Sequence, residues 1–511
     1  MKPTPTRSPA PCAWRAALAL LALLTLSAPV ARAAPPAEAT TRQAAALPSE
    51  SITHHTLVLP DRTLHITAIA GSEPVRLGEP ASQAAVATTA YLLDGADPAT
   101  RPVAFVFNGG PGFASAWLQL GALGPWHLPM DATAISPSAR PALLPNADTW
   151  LDFTDLVFID PPGTGYSEIL GGEAARHRLW SVDGDIAALA EVIRRWLDEH
   201  GRIAAPKLLV GESYGGFRVP LLARALASQQ GVGVRGLVMI SPLLDFGRDS
   251  SVLDPLSAVG RLPSLVAVAR SAQGPVTRAS LAAVEHYAST DYLLDLLRGE
   301  SDPAAVARLV DRLTALTGLD RTLLRERDGR IDVATFLHAI DRRDGRIASR
   351  YDASITMPDP YPATPGLHLP DPVLDALEPP LTEAMALVYD RLAWHPAGLY
   401  RLGDRSIARQ WDWGDSFHPP ESFTALRTAL AFDPHLHALI IHGLFDLVTP
   451  YFATRLLLDQ IPAAAGGERV QLLVLPGGHM PYTEDASRAA LRQAAQGLVA
   501  ASRSAHVSAS R

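Results

Sequence analysis

The sequence predicts an α/β fold: a mostly parallel central sheet with helices on both faces and a large helical insertion. Three observations predict it. Six short apolar runs recur along the chain, segments with helical spacing separate several of them, and this rhythm breaks once, between about residues 245 and 433. The 511 residues are 48% hydrophobic, enough for a large core, and only 19% charged, which argues against wholesale disorder. Acidic residues outnumber basic ones by 52 to 44, so nucleic acid is not expected as a partner, because a phosphate backbone demands a basic surface. A single cysteine excludes both an intramolecular disulfide framework and a zinc–thiolate cluster.

At the amino terminus, Lys2, Arg7 and Arg15 flank an apolar run, 16–26, that is shorter than the roughly 20 residues a membrane-spanning helix needs. Ala31-Arg32-Ala33 has the small-residue pattern of a cleavage site, so residues 1–33 are expected to be a signal peptide. The expected location is the periplasm or the extracellular space, with no stable membrane insertion after cleavage. Cys12 would leave with the signal, which excludes thiol catalysis. Residues 34–50, rich in Ala and Pro, read as a linker.

Alternating segments at 55–59, 63–68 and 85–93 read as antiparallel strands of an edge sheet. Runs 103–107, 156–159, 207–210, 236–240, 438–441 and 470–475 are nearly continuous in apolar residues, as suits strands buried on both faces of a parallel sheet. Helical spacing appears at 186–197, 214–226 and 486–498. Residues 51–245 and 433–502 are thus expected to form two parts of one core, with 246–432 as a mainly helical cap and 503–511 as a flexible tail. In such folds, ligands meet the carboxyl ends of the strands.

Those ends carry the chemistry. Run 207–210 leads into Gly211-Glu212-Ser213-Tyr214-Gly215-Gly216, a G-x-S-x-G between strand and helix, the context that exposes a serine hydroxyl on a sharp turn. A serine needs a base, and the base an orienting carboxylate. Asp446 follows run 438–441 and His479 follows run 470–475, giving the chain order serine, acid, histidine. Asp485 is a rival acid, local to the histidine loop. Run 103–107 leads into Asn108-Gly109-Gly110-Pro111-Gly112, a loop able to supply a backbone N–H to a tetrahedral oxyanion, with the Tyr214 amide as the second donor. Trp117, Trp126 and Trp394 read as packing residues, and Trp411 and Trp413 as pocket candidates. No metal constellation stands out among the 16 histidines, and no cofactor is expected.

Together these motifs resemble the serine carboxypeptidase family, which has an α/β-hydrolase fold. Asn108–Gly112, Gly211–Gly216, Gly443–Asp446 and Gly478–Pro481 each resemble a family block, and Asp160-Pro161-Pro162-Gly163-Thr164-Gly165-Tyr166-Ser167 resembles a fifth. The resemblance implies a triad of Ser213, Asp446 and His479, with the Gly110 and Tyr214 amides as the oxyanion hole. It also implies that Asn108, Gly109 and Glu212 hold the terminal carboxylate of a peptide substrate. Glu212 could do so only when protonated, and burial beside an anion would favour that. Three positions depart from the family: Ala122 stands where a second glutamate is common, Phe113 where a cysteine is found, and Val106 where a tryptophan is common. The function expected is removal of C-terminal residues from peptides with a free C-terminus. The alternatives are an esterase or acyltransferase, an aminopeptidase on the same fold, and a non-catalytic binding protein.

Overall fold

The computed structural model describes residues 47–508, apart from 80, 131–135, 250–252, 365–369 and 416. The expected signal peptide, with Cys12, and most of the expected linker lie outside these residues.

Nine strands form the path of one mixed sheet. They are β1 (Ser51–Val58), β2 (Thr63–Val75), β3 (Ala84–Leu93), β4 (Val103–Phe107), β5 (Asp155–Ile159), β6 (Lys207–Glu212), β7 (Gly236–Ile240), β8 (His437–Gly443) and β9 (Val470–Leu475). Their spatial order is β1-β2-β3-β5-β4-β6-β7-β8-β9, and a short tenth strand, Glu168–Ile169, pairs with β3. The six apolar runs are the parallel strands β4 to β9. Every residue of β4, β5, β6 and β7 is buried, as a strand covered by helices on both faces must be. The first three strands are antiparallel and continuous with the rest, because β3 pairs antiparallel with β5. The three antiparallel strands expected at an edge form one wing of the single sheet.

Helices Val182–Glu199, Tyr214–Ala225 and Asp485–Ser508 correspond to the three helical patterns. Ser181 starts the first by accepting the Gly184 N–H at 3.0 Å, with Asp183 and Asp185 in its first turn. The last runs to Ser508, into the segment expected as tail.

Between β7 and β8 lies a mostly helical segment. Asp254 and Asp302 cap helices Pro255–Ser271 and Pro303–Thr317, each followed by proline at the first helical position, where a missing N–H costs nothing. Leu262, Leu265, Leu281, Leu309, Leu313 and Phe336 form an apolar core here that continues into Leu444, Leu447 and Tyr451 beyond β8. A second part of the segment reaches the main core. Helix Leu374–Arg391 buries Leu377, Leu381, Met385 and Val388 there, and Ser51 Oγ donates to Leu392 O at 2.7 Å. Among the described residues, no helix is long and apolar enough to cross a membrane.

Candidate active site

Strand β6 ends at Glu212, and the chain reverses into helix Tyr214–Ala225 through Ser213, whose φ of 59° lies in the left-handed region. That conformation is costly for a side-chain-bearing residue and persists where the surroundings enforce it. They do so here. A Cβ on Gly211 would lie 2.1 Å from Gly215 O, and one on Gly215 would lie 2.6 Å from Phe107 O. The Ser213 N–H donates to Ile240 O at 2.9 Å, tying the turn to β7. Ser213 lines a cavity of about 400 Å³ that His479 also lines.

His479 follows β9 and is buried. Its Nδ1 is 2.8 Å from Asp446 Oδ2, and Asp446, fully buried after β8, accepts the N–H groups of Val448 at 2.8 Å and Thr449 at 3.0 Å on Oδ1. Burial pushes the Asp446 carboxyl up, but the His479 charge and the hydrogen bonds from His479 and Thr449 outweigh it and hold the carboxyl below its usual range. Burial likewise pushes His479 down. The facing Asp446, with a smaller push from Glu212, raises it above the ordinary histidine value. Asp485 is the surface partner of Arg488, at 2.8 Å, and does not engage the imidazole. Among the described residues, Ser213 Oγ has no hydrogen-bond partner; catalytic contacts of this kind tighten when substrate binds.

The histidine loop is gripped from two sides. Ser241, at the end of β7 and itself at φ 45°, donates through Oγ to His479 O at 2.7 Å. From the insertion, Tyr351 O accepts the His479 N–H at 2.5 Å, and the two rings meet edge to face at 5.5 Å.

The loop after β4 packs against the serine turn. A Cβ on Gly109 would lie 2.6 Å from Tyr214 N and 2.7 Å from Glu212 O, so only glycine allows this approach. Arg218, fully buried, joins the two elements. It donates to Asn108 O and to Asp185 Oδ2, each at 2.5 Å, and its guanidinium lies 4.7 Å from the Tyr214 ring centre. Asn108 Oδ1 accepts the Leu118 N–H at 3.1 Å. Asn108, Gly109, Gly110 and Glu212 all line the cavity.

Glu212 is buried, and burial pushes its carboxyl up to about 7 against the opposing influence of His479 and the hydrogen bonds from Tyr482 and Asn108. The Tyr482 hydroxyl donates to Glu212 Oε2 at 2.5 Å. Ala122 is buried in the helical turn Gln119–Leu123, and the neighbouring Gly121 abuts the Tyr482 ring, which a Cβ would meet at 2.5 Å. A phenol thus partners Glu212 beside the turn where the resemblance led one to look for a second carboxylate. Tyr482 was not singled out in the sequence, although its place three residues after His479 was a usable signal.

Trp117 packs in the main core as expected and also lines the cavity, whereas Trp411 and Trp413, expected as pocket candidates, pack edge-on against Tyr214. The block Asp160–Ser167 is a buttress. Ser167 Oγ donates to Asp160 O at 2.6 Å, Asp160 Oδ1 accepts the Ser115 N–H at 2.8 Å, and Gly165 N donates to Arg401 O of the insertion at 2.7 Å. Among the described residues, no group of three or more His, Cys, Asp or Glu could hold a metal.

Residues 91–256 match the family model described as serine carboxypeptidase. Serine carboxypeptidase-like 41 of Arabidopsis thaliana is 29% identical over 167 residues, covering 30% of this chain and 32% of that protein. Pheromone-processing carboxypeptidase kex1 of Talaromyces marneffei is 30% identical over 124 residues, covering 24% of this chain and 18% of that one. The chain therefore spans about a third or less of the length of these relatives. The crystal structure of Kex1(delta)p, a prohormone-processing carboxypeptidase from Saccharomyces cerevisiae, shares the fold, with a TM-score of 0.52 at 14% identity over 84% of this chain and 90% of that one. Residues 91–256 are thus similar to the serine carboxypeptidases, and the described chain has an α/β-hydrolase fold.

Proposed function

We propose that this protein is an exported serine carboxypeptidase that releases C-terminal residues from peptides. The observation that carries the reading is that His479, hydrogen-bonded to the buried Asp446, lines the same cavity as Ser213 on its strained turn. Ser213 Oγ attacks the scissile carbonyl as His479 Nε2 takes its proton. Asp446 holds Nδ1–H and stabilises the imidazolium. The amides of Gly110 and Tyr214 receive the oxyanion. His479 then protonates the leaving amine, and a water molecule, deprotonated by the same imidazole, hydrolyses the acyl-enzyme. Asn108, Gly109 and protonated Glu212 hold the terminal carboxylate.

A blocked dipeptide with a free carboxylate should be hydrolysed at least about tenfold faster than its C-terminal amide, and Ser213→Ala should abolish both reactions. Equal rates for acid and amide would remove the carboxypeptidase assignment. An esterase or acyltransferase reading has one observation in its favour, the apolar Ala122, and simple esters turning over while the free dipeptide does not would establish it. The signal read at residues 1–33 supports export, which detection of the mature chain outside the cytoplasm would test.

A further inference from the structure

The chain as a whole is acidic, yet the wall that the insertion contributes to the cavity is cationic. Arg350, Arg405 and Arg409 line it. Arg405 is engaged by Asp375 and by Glu378. Arg350 and Arg409 are exposed, and among the described residues neither guanidinium is paired with a carboxylate, although the Arg350 backbone N–H donates to Asp371 Oδ2 at 3.0 Å. Arg350 is close to the reacting centre: its guanidinium lies 5.8 Å from the ring centre of Tyr351, the residue whose carbonyl holds the His479 amide. The one carboxylate lining the cavity among the described residues, Glu212, is buried and comes from the core rather than the insertion. Guanidinium groups facing a cavity without a protein anion form a planar, permanently charged fork suited to a carboxylate. The terminal carboxylate of a substrate is accounted for by Asn108 and Glu212 on the core loops. Arg350 and Arg409 come from the insertion instead.

We infer that Arg350 and Arg409 select substrates with an acidic side chain, aspartate or glutamate, on a residue flanking the scissile bond. This specificity rests on the carboxypeptidase reading but can fail separately from it. The test uses four blocked dipeptides, Glu-Leu with its isostere Gln-Leu and Leu-Glu with Leu-Gln. Hydrolysis is followed with the wild type, and binding is measured by calorimetry on full-length Ser213→Ala. At one of the two positions the glutamate peptide should be favoured over its glutamine partner by about 10- to 100-fold, the span expected of charge-assisted hydrogen bonds, and less so at high salt. Arg350→Gln with Arg409→Gln should bring that ratio close to one, whereas Arg427→Gln, at an exposed position that does not line the cavity, should leave it intact. Ratios near one in the wild type at both positions, or a ratio that survives the double substitution, overturn the inference. So does a double variant that weakens glutamate and glutamine peptides equally, since the arginines would then be serving the terminal carboxylate. Charge-selective binding to Ser213→Ala without any hydrolysis by the wild type would uphold the inference and remove the carboxypeptidase reading instead.

Discussion

In the proposed carboxypeptidase, Glu212 is the residue on which the pH behaviour turns. Its carboxyl is raised to about 7 by burial, so it carries its proton in mildly acidic solution and can donate to a substrate carboxylate. As the pH rises through 7 it ionises and repels that carboxylate. Peptide hydrolysis is therefore predicted to fall on the alkaline side with a midpoint near 7, while hydrolysis of an uncharged ester falls less. In Glu212→Gln this alkaline limb should vanish from the pH–kcat/KM profile, and an unchanged limb would exclude Glu212 as its source. Tyr482 gives a prediction of opposite sense. Its hydroxyl donates to Glu212 and stabilises the ionised form, so Tyr482→Phe should shift the alkaline limb upward rather than abolish it. A downward shift would mean that the phenol acts on another group.

At the scale of elements, two turns must interlock. The Asn108–Gly112 loop reaches the serine turn only because Gly109 lacks a Cβ, and Arg218 clamps both elements while paired with Asp185. Gly109→Ala should displace the loop and with it an oxyanion donor. A fall in kcat of about 10²- to 10³-fold, with the far-ultraviolet circular dichroism spectrum retained, is expected. A kcat within twofold of wild type would contradict the placement of that loop. Arg218→Ala should destabilise the fold by about 3–5 kcal/mol, because it leaves Asp185 as an uncompensated buried charge. Urea unfolding would measure this, and a loss under about 1 kcal/mol would indicate that Asp185 takes a proton or finds another partner. The sequence identified the loops through their glycines, whose absent side chains leave a readable pattern. Arg218 was invisible to the same reading, since an arginine within a helix is ordinarily a solvated side chain and only the packing of Asn108 and Asp185 against it reveals its burial.

Across the whole molecule, the parallel strands were legible because burial on both faces makes each one a continuous apolar run. Their loops could then be assigned to one end of the sheet, which brought Asp446, His479 and Ser213 into consideration together. The insertion resisted such reading. Its helices were apparent from spacing, but not that Tyr351 would supply the carbonyl that fixes His479, nor that three arginines would face the cavity. Those contacts join residues separated by tens to hundreds of positions and follow no periodic pattern. Ser241 is similar: a serine after a strand is unremarkable until its hydroxyl is found on His479 O. The candidate active site thus draws on residues before, within and after the segment between β7 and β8.

The central claim is that Ser213 is the nucleophile and that His479 activates it. Labelling with a fluorophosphonate, followed by peptide mapping and mass spectrometry, tests it most directly. A single adduct on Ser213, absent in Ser213→Ala and formed at least about a hundredfold more slowly in His479→Ala, is the predicted result. An adduct on any other residue, or labelling of Ser213→Ala at the wild-type rate, would contradict it.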